Sequence, residues 1–327
     1  MAKKVEVVKN KKSKRNIMVS VLICLVLIPI FTLLWIFYGP FETARRVWIC
    51  TAMSTANHKY LATTFFTDET IEKYTTAYFD SIEEIPNQDE SAVNTDGAKG
   101  KITVESVNVG LSKGKLMRIP DPSKIDISVS DYIGNMGMTL DNLVIQENAI
   151  AGINAGAYAD EDGSPKGSIP DGVTVQNGKI TFYSENENEE FCIIGFNEKN
   201  LLVVDYVDSS EEIEKLNLRC AVTFGPPLII NGEGLIKESG TSLQPRSAIA
   251  QCADGSVLFL VLDGRQPNSA GATLKNVQDL LLEKGAVTAA NLDGGSSTAM
   301  IYNEELLNNP SDGGKLKRIP SAFIVRE

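Results

Sequence analysis

The chain has 327 residues, of which 43% are apolar and 22% are charged, and this composition excludes a disordered or fibrous protein. The net charge of −11 is unevenly distributed: residues 1–16 hold seven Lys and Arg and one Glu, a charge of +6, so the rest of the chain carries −17. Nucleic acids bind to basic surfaces, so the acidic remainder argues against a nucleic-acid partner, although not against one phosphate held in a local pocket.

The first predicted element is a transmembrane helix at residues 17–38, IMVSVLICLVLIPIFTLLWIFY, which has no charged residue. This length spans a bilayer core, Pro29 is tolerated in membrane helices, and Trp35 and Tyr38 fit an interfacial aromatic belt. A cleaved signal peptide is the alternative, but the residues after Tyr38 make a poor cleavage site. Because basic residues concentrate before the span, we expect a single-pass cell-membrane protein with a cytoplasmic N-terminus and an extracytoplasmic remainder.

The sequence predicts four parts, namely a basic cytoplasmic tail at 1–16, the transmembrane helix at 17–38, a membrane-proximal helical stalk with a linker at 39–100, and a domain at 101–327. Within the stalk, helical patterns occur at 44–53, 58–62 and 69–74. The stretch 81–101 is polar, acidic and contains glycine, which is typical of a linker.

Cysteine and histidine content limits the possible chemistry. Cys50, Cys192, Cys220 and Cys252 lie far apart without metal-binding CxxC spacing, and we expect free thiols rather than disulfides. His58, in the predicted stalk, is the only histidine, which excludes a Ser-His-Asp triad in the C-terminal domain unless His58 reaches into it. There is no DxDxDG-type calcium loop, and we expect no cofactor and no obligatory metal.

After the linker, short β-like runs dominate the chain and Asn-Gly and Asp-Gly turn signals separate them. The predicted strands are 102–109, 124–129, 149–153, 179–182, 191–196, 201–206, 228–230, 247–252, 257–261, 288–292 and 321–325. Two stretches are predicted to be helices, 210–216 and the amphipathic 273–284. The predicted fold class is α+β, with a mixed, largely antiparallel sheet core and few helices.

Four polar residues interrupt the apolar strands of the C-terminal half, namely Asn154, Arg246, Asp263 and Asp293. Each lies beside Gly or Pro at a predicted strand end, and strand ends that converge on one edge of a sheet are common places for sites. Two carboxylates and an arginine suit a phosphate-bearing substrate that is cleaved with acid–base help. For each residue taken alone, a turn or a surface ion pair is the alternative.

Asp293 opens the cluster NLDGGSSTAM at residues 291–300. Paired glycines let a ligand approach the backbone closely, and open N–H groups beside Ser and Thr hydroxyls can hold an anionic oxygen. The alternative is a tight turn with an Asx-type hydrogen bond.

Six separated motifs resemble the phosphodiester glycosidase family in order and spacing. They are GINAGAY (152–158), GSIPDGVTVQNGKI (167–180), TFGPPLIINGEG (223–234), QPRSAIAQCADGSVLFLVLDGR (244–265), GATLKNVQDLLLEKGAVTAANLDGGSSTAM (271–300) and KRIPSAFIV (317–325). The family includes N-acetylglucosamine-1-phosphodiester α-N-acetylglucosaminidase and bacterial relatives linked to exopolysaccharide or envelope metabolism. The resemblance covers roughly residues 145–327.

The resemblance implies hydrolysis of the bond between the anomeric carbon of a sugar and a phosphodiester. By motif, it implies a site that contains Asn154, Arg246, Asp293, Gly294, Gly295, Ser296 and Arg318. This chain departs from the family pattern in three places: the usual third glycine is missing after Gly295, Asn-Ala-Gly replaces Asn-Gly-Gly, and Tyr158 stands where Phe is common. These changes affect the expected substrate more than the expected chemistry.

For the mechanism, we expect Arg246 and the Gly294–Ser297 segment, including Ser297, to hold the phosphate, because the arginine fork matches phosphate oxygens. Asp293 or Asp263 acts as base or nucleophile, and the sequence does not assign the two roles. Asn154 is expected to position the sugar. Arg318 is a second phosphate candidate, with a surface charge near Lys317 as its alternative.

Two other classes of function remain open from the sequence. One is an envelope module that binds sugar phosphates without cleaving them, which would keep the Gly, Ser and Arg groups and could lose the acids. The other is a membrane-anchored transferase that moves a glycosyl-phosphate polymer onto the cell wall. Dependence on an acceptor separates this transferase from a hydrolase, which needs only water.

Overall fold

The computed structural model describes residues 2–53, 58–79, 85–95, 100–159, 166–184, 190–237 and 242–327. The chain divides into two compact units, Met1–Tyr74 and Thr75–Glu327. Residues 81–84 and 96–99 of the predicted linker lie outside the described residues, as do the basic side chains before residue 16. The division into tail, span, stalk and domain therefore stays a prediction.

Four helices form the N-terminal part of the chain: α1 (Ala2–Tyr38), α2 (Glu42–Met53), α3 (Tyr60–Thr63) and α4 (Asp68–Phe79). Within the described ranges, one helical segment, Asn16–Tyr38, is long and apolar enough to cross a membrane, and its side chains as far as Trp35 are exposed. The C-terminal end of α1 packs on the helices that follow, because the buried Phe37 ring lies 5.0 Å from that of Trp48 and 5.1 Å from that of Phe66.

The second unit is rich in strands. The first are β1 (Thr103–Val109), β2 (Ser112–Ile119), β3 (Ile125–Val129), β4 (Met138–Thr139), β5 (Ala151–Asn154), β6 (Tyr158–Ala159), β7 (Ile169–Pro170), β8 (Val173–Gln176), β9 (Lys179–Tyr183), β10 (Phe191–Asn197) and β11 (Leu202–Val207). The others are β12 (Leu218–Thr223), β13 (Pro227–Ile230), β14 (Glu233–Gly234), β15 (Arg246–Cys252), β16 (Val257–Leu262), β17 (Ala286–Leu292), β18 (Met300–Tyr302), β19 (Glu305–Leu306), β20 (Arg318–Ile319) and β21 (Ser321–Val325). Helices α5 (Leu140–Gln146), α6 (Ser210–Lys215) and α7 (Leu274–Glu283) complete the unit.

These strands form three main sheets, with the orders β1-β2-β16-β15-β17-β13-β14, β11-β10-β12-β8-β9 and β19-β18-β5-β21-β3. Two short ladders, β20-β4 and β6-β7, accompany them. The strand pairs of the described residues are antiparallel. The domain is therefore α+β with an antiparallel sheet core, as predicted from the sequence.

One apolar core is shared by the three sheets. Buried side chains from each sheet meet in it, including Phe259 of β16, Phe196 of β10 and Phe323 of β21. Each sheet is covered on its other face by a helix, α7 on the first, α6 on the second and α5 on the third. Because both faces are covered, a strand such as β16 is buried along its whole length and its sequence VLFLVL is continuously apolar.

The cysteines are free thiols, as predicted. Cys192, Cys220 and Cys252 are buried within the second unit, and none of the five cysteines forms a disulfide. Burial raises the pKa of the Cys220 thiol to about 12, so this group stays protonated at neutral pH.

Residues 85–95 pack against the strands of the second unit. Gln88 Nε2 donates to Leu202 O at 2.6 Å and to Thr288 Oγ1 at 3.1 Å, and its Oε1 accepts from the Val204 N–H at 3.3 Å. The Asp89 N–H donates to Asn231 Oδ1 at 2.7 Å. This segment therefore satisfies backbone groups of β11 that would otherwise lack partners.

A fragment that begins at Thr75 is therefore expected to unfold at a higher temperature than one that begins at Lys101. Each buried polar group left without its partner costs about 1–3 kcal/mol, which corresponds to several degrees in Tm for a domain of this size. Thermal unfolding followed by circular dichroism measures the difference. Gln88→Ala in the longer fragment is expected to reproduce part of the loss, and equal melting temperatures for the two fragments would contradict the expectation.

Candidate functional site

The antiparallel register brings three of the predicted site residues to one end of the first sheet. Strand β15 begins at Arg246, which pairs with Leu262 at the end of β16. The second residue of β15, Ser247, pairs with Leu292 at the end of β17. Asp263 follows β16 directly and Asp293 follows β17 directly. The strand-end arrangement predicted from the sequence is therefore present for Arg246, Asp263 and Asp293.

Asn154 lies beneath this end of the sheet and contacts the Asp293 segment. It is completely buried, and its Nδ2 donates to the carbonyl oxygen of Asp293. Its Oδ1 accepts from Ser247 Oγ at 2.7 Å and from the Ala299 N–H at 3.0 Å. The amide thus joins β5, β15 and the turn after β17, while its predicted contact with a sugar stays a prediction.

The Asp293 carboxyl group is the most perturbed acid of the site. Burial raises its pKa to about 6, against the opposing effects of the Ser297 hydroxyl, the Lys317 ammonium and the Gly294 N–H. Its Oδ2 is inaccessible to solvent and has no hydrogen-bond partner among the described residues. A buried acceptor without a donor is rare in proteins and is typical of a position that a substrate group or an ordered water completes.

A hydrogen-bonded row of side chains from β6 and from the segment before β20 reaches the turn that follows Asp293. Lys317 Nζ donates to Tyr158 Oη at 3.0 Å, and the ammonium also lies 5.4 Å from the centre of the Tyr158 ring. The hydroxyls of Tyr158 and Ser297 are 3.2 Å apart. The Lys317 ammonium is the cation that opposes the rise in the pKa of Asp293.

Asp263 has a different environment. Its Oδ1 accepts from Asn308 Nδ2 at 3.1 Å and from the Asn309 N–H at 3.0 Å, and Asn308 also receives the Met300 N–H and donates to Thr298 O. Burial raises the pKa of Asp263, and these hydrogen bonds oppose the rise. Oδ1 of Asp263 is thus used to hold the 308–309 segment against the sheet.

The two arginines near the sheet end differ in their surroundings. Arg246 is buried, and its guanidinium donates from Nε to Ala272 O at 3.1 Å and from Nη2 to Ser242 O at 2.8 Å. Arg265, two residues after Asp263, is exposed, and its Nη2 lies 3.5 Å from Gln244 Oε1. Arg265 is the arginine that is open to a ligand.

The turn after β17 is a single 3₁₀ turn, Gly295–Ser297, that lies against the start of β15. Gly295 has φ +61° and donates its N–H to Pro245 O at 2.9 Å, and a Cβ on Gly295 would lie 3.4 Å from Arg265 Nη1. The Ser297 N–H is bonded to Gly294 O at 3.2 Å. Ser296 is half-buried, and its N–H makes no hydrogen bond within the described part of the chain, so it is the available amide of this turn.

Arg318 lies on β20, where it pairs with Thr139 of β4. Its side chain is exposed and donates from Nη1 to Gly137 O at 3.2 Å, and no contact joins it to Asp293 in the described structure. Its predicted phosphate contact stays a prediction. The neighbouring Lys317 is the residue of this segment that reaches the site.

Sequence reasoning therefore missed Arg265, Lys317 and Tyr158 as site residues, although each lies within a quoted motif. The Asp-Gly signal at 263–264 predicted a turn after β16, but not that Arg265, with φ +59°, would place its guanidinium beside Gly295. Tyr158 was visible as a departure from the family pattern. Among the described residues, no three His, Cys, Asp or Glu side chains gather as metal ligands would.

A carboxylic acid with a raised pKa, near an arginine and a lysine at one end of a sheet, is an arrangement that suits an anionic ligand and acid–base chemistry. Residues 147–326, more than half of the chain, match the family model described as phosphodiester glycosidase. The chain belongs to this family.

Known relatives are similar to this chain over more than half of its length. The chain is 28% identical over 193 residues to the SPbeta prophage-derived protein YomE of Bacillus subtilis, covering 56% of this chain and 29% of that protein. It is 25% identical over 223 residues to N-acetylglucosamine-1-phosphodiester alpha-N-acetylglucosaminidase of Bos taurus, covering 61% and 41%. The chain thus spans less than half the length of these curated relatives.

Solved structures share the fold. The zebrafish N-acetylglucosamine-1-phosphodiester alpha-N-acetylglucosaminidase catalytic domain, auto-inhibited by its pro-peptide, superposes with a TM-score of 0.57 at 17% identity, covering 69% of this chain and 82% of that one. A hypothetical protein from Synechocystis gives a TM-score of 0.53 at 16% identity, covering 69% and 62%. At these identities the likeness establishes the fold alone.

Proposed function

We propose that this protein is a membrane-anchored hydrolase that cleaves the glycosidic bond of a sugar-1-phosphodiester of the N-acetylglucosamine-1-phosphodiester type, in envelope or exopolysaccharide metabolism. Membership of the phosphodiester glycosidase family supports the reaction class. The observation that carries the proposal is the Asp293 carboxyl group, buried at a strand end with one oxygen unsatisfied and with a pKa raised to about 6.

The chemistry of the substrate indicates the role of this acid. A phosphate monoester is a good leaving group, so the bond from the anomeric carbon to the phosphate oxygen breaks with little need for protonation. The attacking water must lose a proton, and the developing positive charge on the sugar must be stabilised. Asp293 as a carboxylate meets both needs, and a general base with a pKa near the working pH is well matched to its task.

Phosphate binding falls to the exposed groups beside Asp293. The Arg265 guanidinium lies beside Gly295, and its planar fork of donors matches phosphate oxygens. The available N–H and the hydroxyl of Ser296 lie on the same turn. We assign Arg265 and Ser296 to the phosphate, and we assign Arg246 to bracing the Ser242 and Ala272 backbone behind them.

The remaining predicted residues have supporting roles in this proposal. Asn154 fixes the backbone carbonyl of Asp293, and Asp263 fixes the segment that contains Asn308 and Asn309. The division of labour between the two acids that the sequence left open is thereby assigned, with Asp293 in the chemistry and Asp263 in positioning. Gly294 and Gly295 allow the tight turn, since a Cβ on Gly294 would meet Pro245 O at 2.7 Å.

The proposed location follows from the N-terminal helix. Its apolar segment Asn16–Tyr38 has the length and composition of a membrane anchor. The basic residues that precede it favour a cytoplasmic N-terminus and an extracytoplasmic second unit.

The test of the function is release of free sugar from a sugar-1-phosphodiester. The full chain in detergent is incubated with UDP-N-acetylglucosamine, with methyl α-N-acetylglucosaminide as a matched substrate that lacks phosphate, and free N-acetylglucosamine is measured by chromatography. We expect release from the phosphodiester and at least about a hundredfold less from the methyl glycoside, because the methyl glycoside has neither the charge-assisted contacts to phosphate nor a good leaving group. Equal rates on both would contradict the proposal.

The same assay separates the other two classes of function. Binding of the phosphodiester without release of sugar would indicate a binding module. Consumption of the donor that starts only when a glycan acceptor is added would indicate a transferase.

A further inference from the structure

Lys317, Tyr158 and Ser297 form a row of polar side chains that reaches the turn after Asp293. Lys317 Nζ donates to Tyr158 Oη at 3.0 Å, the Tyr158 and Ser297 hydroxyls are 3.2 Å apart, and Ser297 ends the 3₁₀ turn that follows Asp293. The Ser297 hydroxyl and the Lys317 ammonium both oppose the rise in the pKa of Asp293. An ammonium group can only donate. Tyr158 therefore accepts from Lys317. When Ser297 gives its single proton to the Asp293 carboxylate, its oxygen accepts from Tyr158, and every donor of the row then points towards Asp293.

Resting on the proposed function, we propose that Tyr158 and Lys317 are positioning residues that hold Asp293 as its carboxylate by directing the Ser297 hydroxyl at it. A carboxylate accepts a hydrogen bond more strongly than a protonated acid does, so a donor fixed on this group favours the ionised form. Linked hydrogen bonds polarise one another, and the lysine charge strengthens the whole chain.

The other groups that face Asp293 are accounted for separately. The Gly294 N–H of its own turn also favours the carboxylate, and Arg265 from the loop after β16 lies beside Gly295. Asn154 from β5 contacts the Asp293 backbone carbonyl rather than the carboxyl group. Burial opposes ionisation and keeps the pKa raised. These groups are unchanged in the variants below, so a change in the behaviour of Asp293 reports on Tyr158 and Lys317.

The first test is the pH dependence of kcat/KM for the full chain in detergent, with UDP-N-acetylglucosamine as substrate. Tyr158→Phe keeps the ring beside Lys317 and removes only the hydroxyl. Loss of the donor raises the pKa of Asp293, so we expect the acidic limb of the profile to move to higher pH by roughly half to one pH unit. At pH 5.5 this shift lowers kcat/KM about three- to tenfold. At pH 8.5 it changes kcat/KM less than about twofold.

Matched variants separate this role from a structural one. Lys317→Met is expected to move the limb in the same direction and further, and Lys317→Arg is expected to restore most of the shift, since it keeps a cation that donates. Two control substitutions are expected to leave the pH profile unchanged. They are Lys315→Met, at an exposed lysine two residues before Lys317, and Tyr183→Phe, on the edge strand β9. A loss of rate in Tyr158→Phe that is the same at every pH would indicate a merely structural role and would overturn the proposal.

A second readout does not depend on activity. In the full chain labelled with ¹³C at aspartate carboxyl groups, the Asp293 resonance is assigned by its disappearance in Asp293→Asn, and its titration midpoint is measured by NMR. We expect a higher midpoint in Tyr158→Phe and in Lys317→Met than in the wild type. If the wild type releases no sugar, the proposed function fails and this titration still decides the inference, and unchanged midpoints in both folded variants would overturn it.

Discussion

Asp293→Asn is expected to abolish most of the activity and, at the same time, to stabilise the protein at neutral pH. The substitution keeps the shape of the side chain but removes the base, and the loss of a positioned base typically lowers a rate by about 10² to 10⁴. The gain in stability arises because the wild-type carboxylate is buried with Oδ2 unsatisfied, which the folded state tolerates only at a cost.

The sign of the pH dependence follows from the raised pKa of Asp293. It is about 6 in the folded state against an ordinary value of 3.8. Well below pH 3.8, the carboxyl group is protonated in both the folded and the unfolded state, and it contributes little difference. As the pH rises from 3.8 to 6, the unfolded state loses its proton first, so the free energy of unfolding falls, and above pH 6 the full loss of about 3 kcal/mol persists.

Urea unfolding of the wild type and of Asp293→Asn at pH 8 and pH 4 measures this effect. We expect the variant to be more stable by about 1–3 kcal/mol at pH 8 and by under about 1 kcal/mol at pH 4. Asp312→Asn, at an exposed aspartate of the second unit, is the control and is expected to show no such difference. A variant that keeps activity within about tenfold, roughly 1.4 kcal/mol, would remove Asp293 from the chemistry.

Much of the fold was predictable because its signals are local. The apolar segment was predicted at 17–38 and is Asn16–Tyr38, and the amphipathic helix was predicted at 273–284 and is Leu274–Glu283. Continuous apolar runs such as β16 were recognisable as strands because helices and a shared core cover both of their faces. The α7 helix begins with a capping box at Thr273 and Asn276, which is also a local signal.

Strands that depend on distant partners were missed. Strand β2 has the sequence SKGKLMRI, in which Lys113, Gly114 and Lys115 hide the alternation of buried and exposed side chains. It is a strand because it pairs with β1 and β16, and Gly114 is needed there because a Cβ would meet Val261 O. Helix α5 was missed for the same reason, since its seven residues are held by their burial against β5 and β21 rather than by a strong helical pattern.

The site was predictable where it depends on strand ends and not where it depends on loops. Asn154, Arg246, Asp263 and Asp293 were found because each interrupts or ends an apolar strand. Which of them faces a ligand depends on side-chain burial, and the burial of Arg246 and Asn154 is a property of the packed structure. The proposal that Arg265 rather than Arg246 holds the phosphate therefore rests on the structure, and the Arg246 contact predicted from the sequence stays a prediction.

The paired substitutions Arg246→Ala and Arg265→Ala are expected to have opposite consequences. Arg246 is buried and donates to the Ala272 and Ser242 carbonyl groups, so its loss leaves these acceptors unsatisfied beside a cavity and is expected to cost about 2–4 kcal/mol of stability. Arg265 is exposed, with one long hydrogen-bond contact to Gln244, and its loss is expected to change stability by less than about 0.5 kcal/mol.

The kinetic expectation is reversed between the two arginines. Arg265→Ala is expected to lower kcat/KM for a sugar-1-phosphodiester about 100-fold, or roughly 3 kcal/mol, because the proposed bidentate contact to phosphate is lost. Arg265→Lys is expected to recover only part of this activity, since a lysine ammonium cannot reproduce the two parallel hydrogen bonds of a guanidinium. Activity measured per folded molecule of Arg246→Ala, with folding checked by circular dichroism, is expected to stay within about tenfold of the wild type. If Arg246→Ala folds normally and loses activity while Arg265→Ala keeps it, then Arg246 is the phosphate ligand, as the sequence alone predicted. The buried Arg246 guanidinium must in that case turn away from Ala272 and Ser242 when substrate binds.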